Sequence, residues 1–97
     1  MKIDFTKIMC RRKRKGEPEP VNIAEQIGEL IYHAAATRKQ DQLSNTIGDS
    51  TGEIQLSDDE AEFVAEVIAG RSNLFWALKE ALCEALGHPE LMQEKER

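Results

Sequence analysis

Apolar residues along this chain recur with two different periods, and each change of period marks a new element. Ile3 and Phe5 alternate with Lys2, Asp4 and Thr6, and Ile8 and Met9 follow, so residues 2–9 are expected to form a strand. Ile23, Ile27, Leu30, Ile31 and Ala34 then repeat at helical spacing. They predict an amphipathic helix over 22–37, entered through Asn22 with Glu25 three residues later. Leu43 and Ile47, four apart and followed by Gly48, predict a short helix over 40–47. Alternation returns at residues 53–56, where Ile54 and Leu56 are separated by Gln55. That strand has the opening one as its natural partner, giving a two-stranded ribbon that leans on helix packing.

The most sharply patterned stretch follows. Ser57 stands three residues before Glu60, the spacing of a capping box, and Asp58 and Asp59 suit the positive end of a helix dipole. Phe63, Val64, Val67 and Ile68 make one stripe of a helix over 58–69, with Gly70 placed to supply a left-handed stop. Ser72 or Asn73 is positioned to cap a last helix over 73–86, where Phe75, Leu78, Leu82, Ala85 and Leu86 line one face. Leu74, Trp76, Ala77, Ala81 and Cys83 make that helix apolar nearly all round. Such a helix is central to a core or offers a second face to a partner. Gly87, His88 and Pro89 end it, and residues 88–97 are expected to fray, with Leu91 and Met92 the only residues able to dock. The fold expected is mainly α (α+β): three principal helices, one short helix and a small two-stranded ribbon.

Composition narrows the class. Ninety-seven residues with 40% hydrophobic content suit a single small domain over 1–97. No apolar run is long enough to cross a bilayer, and MKIDFTKIMC lacks the apolar core of a signal peptide, so a cytoplasmic location is the expectation. Cys10 and Cys83 match no redox or zinc spacing and are expected to stay reduced. The net charge of −5 conceals an asymmetry. Residues 1–15 hold seven Lys/Arg against one Asp, while residues 16–97 hold six Lys/Arg against seventeen Asp/Glu.

That asymmetry supplies the first candidate site. Arg11, Arg12, Lys13, Arg14 and Lys15 are five adjacent cations, followed by Gly16 and a Glu-Pro-Glu-Pro stretch. Prolines two apart forbid a helix, so residues 11–20 are expected to be an exposed basic and proline-rich loop. Such a run can contact phosphates with strongly salt-dependent affinity. No aromatic is interleaved to stack on bases, and the remaining chain is acidic enough to repel a polyanion. A solvated loop, or one paired with Asp58, Asp59, Glu62 and Glu66, is the plainer alternative.

The second candidate is Trp76, about 100° around its helix from the Leu78 and Leu82 stripe. The two-helix fragment can wrap it into the core, or leave it with Ala77 and Cys83 as an aromatic anchor for association. Other signals fall away on inspection. Residues 49–60 echo a calcium loop, but that register puts apolar Ile47 at the first ligand position and Asp58 where a bidentate Glu belongs. His33 and His88 have no companion ligands at metal spacing. No nucleophile, acid/base pair or glycine-rich phosphate loop is recognisable, so neither an enzyme nor a cofactor is expected.

MKIDF at the start, the capped helix near residue 22, GEIQLSDDEAEFV and LFWALKEAL together resemble small proteins encoded in phage and prophage genomes. RRKRKGEPEP departs from the short polar turn that commonly follows the opening strand in those proteins. The resemblance implies a compact cytoplasmic protein with no assigned activity, and it transfers no site residues. Two functions follow as expectations. The first is a non-enzymatic interaction or assembly protein, acting by self-association or protein binding through the last helix at Trp76, Ala77 and Cys83. The second is a nucleic-acid-associated protein using Arg11, Arg12, Lys13, Arg14 and Lys15.

Overall fold

The structure, a computed structural model, describes residues 1–11, 13–71 and 73–92. Over these residues the chain is mainly helical, with two short antiparallel ribbons in place of the one expected. In order the elements are β1 (Lys2–Ile3), β2 (Ile8–Arg11), β3 (Pro18–Val21), α1 (Ala24–Ala34), α2 (Arg38–Gly48), β4 (Ile54–Gln55), α3 (Asp58–Arg71) and α4 (Trp76–Ala85). A 3-10 turn over Pro89–Met92 follows α4.

The opening alternation is broken into two strands by Asp4. Its carboxylate accepts from the Thr6 amide at 2.9 Å and from the Thr6 hydroxyl, and its carbonyl accepts from the Lys7 amide at 3.3 Å. These bonds turn the chain while Phe5 stays fully buried. The Thr6 hydroxyl and then its amide, with a weaker pull from Lys7, hold the Asp4 carboxyl below the ordinary range. β1 does pair with the second predicted strand, Lys2 opposite Gln55 and Ile3 opposite Ile54. β2 instead pairs with β3, through Ile8 and Val21, Met9 and Pro20, Cys10 and Glu19, and Arg11 and Pro18.

Residues 11–20 are therefore not a loop throughout. Proline removes an amide but does not forbid a strand: in an antiparallel pair only alternate residues bond to the neighbour. Glu19 and Val21 take those inward positions, so Pro18 and Pro20 point their missing donors away from β2. The basic run becomes the turn of a β-hairpin, closed by the Gly16 amide donating to the Lys13 carbonyl at 3.0 Å.

α1 begins at Ala24 with Ile23 as its buried first cap. The Asn22 side chain accepts from the Ala24 amide at 3.3 Å, and the Ile23 amide donates to the Phe5 carbonyl at 2.9 Å, tying the helix start to the turn between β1 and β2. α2 is as long as α1, eleven residues, and not the short helix expected. Its unexpected start is Thr37, whose hydroxyl accepts from the Gln40 amide at 3.2 Å while the Gln40 side chain accepts from the Ala36 amide at 2.7 Å. The first bond satisfies one orphan amide of the helix, and the second ties down the chain entering it. The two helices meet at Gly28 and Gly48: a methyl group built on Gly28 would stand 2.5 Å from the Gly48 Cα and 2.9 Å from the Ser44 carbonyl. Only hydrogen fits there.

α3 starts with the expected capping box. The Glu60 amide donates to the Ser57 hydroxyl at 3.2 Å, and the Ser57 amide donates to the Glu60 carboxylate at 2.8 Å. Gly70, however, lies inside α3 and is no left-handed stop; among the described residues only Gly87 has positive φ, at 81°. Gly87 ends α4 with the Gly87 amide bonded to the Glu84 carbonyl at 3.1 Å and the His88 amide to the Cys83 carbonyl at 2.9 Å. That two-bond geometry returns the chain sharply and needs a residue tolerant of φ > 0. The return seats the 3-10 turn against α4 and α3, with Met92 buried, so the expected frayed tail is ordered at least that far. Its remaining part, residues 93–97, lies outside the described residues.

α4 is the hub, packing against β2, α3 and the 3-10 turn. Leu78, Leu82 and Cys83 are buried, as is Leu86 just beyond, and Ile8 and Cys10 of β2 join the same core. No described helix is long and apolar enough to cross a membrane.

Candidate functional site

Met9, Tyr32 and Leu91 are each exposed singly, but among the described residues only the start of α4 leaves two large apolar side chains open side by side. Phe75 is the cap residue and has no side chain capable of bonding the first turn, so neither it nor Asn73 caps the helix as Ser57 caps α3. Ser72, the other expected cap, lies outside the described residues. With the helix beginning at Trp76, Phe75 falls before the buried arc and not on it. Phe75 is 50% exposed and Trp76 52% exposed, while Leu74 and Ala77 behind them are half-buried. Indole and phenyl rings bury a large apolar area when covered, which makes two adjacent half-open rings an unusual surface.

Cys83 does not belong to that surface. It is completely buried, its Sγ 3.8 Å from the Ala65 carbonyl across the α3–α4 contact. Burial, with a smaller contribution from Glu90, pushes its thiol above the ordinary range and leaves it protonated and unreactive. The helix is covered on three sides, so the buried arc extends past the single stripe that the sequence suggested. The open arc is Trp76, Glu80 and Glu84, one turn apart along the outside of α4. Beside it Met9, exposed on the outer face of β2, shares a shallow depression with Ala81, Glu84 and Ala85.

The second candidate stands at the hairpin turn. Arg11, Lys13, Arg14 and Lys15 are exposed, while Arg12 lies outside the described residues. Among the described residues no ion pair joins Lys13, Arg14 or Lys15 to the acids of α3.

The remaining polar groups are engaged locally. His33 lies 3.8 Å from Glu29 one turn earlier, and its ring meets Tyr32 edge-on. His88 Nδ1 sits 3.0 Å from the Glu90 carboxylate, which is held below its ordinary range by its own backbone amide and by that imidazole. In the stretch that echoes a calcium loop, Ile47 is buried and the Ser57 and Glu60 side chains are occupied in capping. Among the described residues no three His, Cys, Asp or Glu side chains converge as a metal site would require.

Comparisons with protein-family models, with curated proteins and with solved structures find no match for this chain. The surfaces themselves therefore carry the functional reading.

Proposed function

We propose that this chain is a non-enzymatic interaction protein that self-associates or binds a protein partner through Phe75 and Trp76 at the start of α4. The observation that supports the reading is the half-open state of the chain's one tryptophan beside an equally open phenylalanine. Aromatic residues of this kind supply much of the binding energy at protein interfaces. Ala77 stays in the proposal as flanking surface, and Cys83 leaves it because it is buried. A phage or prophage setting in the cytoplasm, as the resemblance implies, fits an assembly role; neighbouring capsid and tail genes would support it.

A second reading has its own observation: Arg11, Lys13, Arg14 and Lys15 are exposed at and beside the turn of a hairpin. Nucleic acid held there would be released steeply as salt rises. Light scattering over a dilution series, beside a DNA shift assay at two salt concentrations, separates the readings. We expect mass above the monomer and no DNA shift. A monomer at every concentration, with salt-sensitive DNA binding that disappears when Arg11, Arg12, Lys13, Arg14 and Lys15 are neutralised, would replace the first reading with the second.

A further inference from the structure

The chain carries both halves of a charge-complementary contact, and among the described residues no ion pair joins them. One half is the hairpin turn, where Lys13, Arg14 and Lys15 are exposed and have no ion-pair partner among the described residues. The other is the open arc of α4, where Trp76 stands above the exposed carboxylates Glu80 and Glu84.

We infer that the basic hairpin turn of one copy docks on the Trp76, Glu80 and Glu84 face of a second copy. This deepens the self-association reading and rests on it. A guanidinium or ammonium over an indole face gains attraction from the ring, and the two glutamates extend that attraction along the helix. The like-with-like alternative is electrostatically poor. Pairing two α4 faces about a two-fold axis would bring Glu80 and Glu84 of both copies together, with the cations nearest them, Lys79 and Lys7, at the margin of the arc and not on it. Edge-to-edge pairing of the hairpins through β3 is also closed, since Pro18 and Pro20 offer no amide on that edge. The occupant that matches the open arc in charge and shape is a slender basic turn, and this chain possesses one.

The test is sedimentation of the full chain at low salt and at about 1 M salt, where the screening length falls to about 3 Å. Trp76 is the only tryptophan, so its emission reports occupancy of the same face directly. We expect association at low salt with a blue-shifted indole, and dissociation at high salt. K13E/R14E and E80K/E84K should each raise the dissociation constant at least about tenfold, because like charges then face each other. Combining all four substitutions should restore association, whereas K13E/R14E with E62K/E66K, which has the same net charge, should not. All six positions are exposed, and unchanged thermal melting confirms that each variant folds.

A monomer at low salt overturns the docking and leaves Phe75 and Trp76 to a different protein. Association that survives both reversals and high salt but is lost in Trp76→Ser also overturns it, with self-association intact. Restoration by the α3 pair, or no restoration by the α4 pair, moves the contact off α4.

Discussion

The two helix pairs of this protein close their surfaces in opposite ways. α1 and α2 approach until backbone touches backbone, at Gly28 and Gly48, and each helix begins with side-chain acceptors bonding its first amides. Little apolar surface is left between them. α3 and α4 meet through side chains, with the Cys83 Sγ against the Ala65 carbonyl and Leu82 buried in the same core, and α4 begins with an aromatic residue where a polar cap would normally stand. The difference shows where each pair is complete. The first pair closes at its helix–helix contact and leaves Tyr32 exposed alone, whereas the second is finished on its inner arc and open at its start.

Five substitutions and one control, Gly48→Ala, break or sharpen that contrast. Leu82→Ala removes a fully buried side chain at the centre of the second pair and should cost about 2–5 kcal/mol in chemical denaturation. Gly28→Ala forces the first pair apart, because every atom its methyl would meet is backbone and cannot swing aside; about 1–3 kcal/mol should be lost. Gly48→Ala makes an informative control, since its methyl would lie 3.5 Å from the Gly28 Cα, an ordinary contact. Ser57→Ala removes one arm of the α3 capping box, and the melting midpoint should fall by the equivalent of about 1 kcal/mol. Gly70→Ala should act in the other direction, raising stability by about 0.5–1 kcal/mol, because Gly70 is helical and its methyl meets nothing within 4 Å. The smallest change is expected at Trp76→Ser. Folding stability should move by less than about 0.5 kcal/mol while self-association is lost, a separation that a core tryptophan could not produce.

The contrast also governs what was legible in the sequence. The α1 stripe and the Ser57–Glu60 box are local, depending on residues three or four apart, and the structure contains both. The pairing of the opening strand with residues 54 and 55 is likewise present, but only for Lys2 and Ile3, because the Asp4 side chain bonds its own backbone and ends the strand. Alternating apolar residues cannot distinguish a strand from two half-strands flanking a turn that buries Phe5. The length of α2 was hidden because its polar start relies on Thr37 and Gln40 exchanging bonds with the backbone. The prolines of β3 resemble a linker until the neighbouring strand shows which edge needs amides. At the candidate site, the aromatic character of the α4 start was visible, but the phase of its buried arc was not. Three neighbours cover that helix, drawing Cys83 inward and leaving Phe75 outside.

The prolines of β3 carry a consequence for how any assembly of this protein must be encoded. A strand with a full row of free amides recruits other strands through its backbone, indifferent to sequence, and such growth leads toward fibrils. Pro18 and Pro20 remove that indiscriminate adhesion from the edge beside the most highly charged part of the chain. Whatever docks along β3 must be recognised with side chains. The hairpin's specificity is then rewritable one residue at a time, so the turn can change partners while the helices beneath it stay the same.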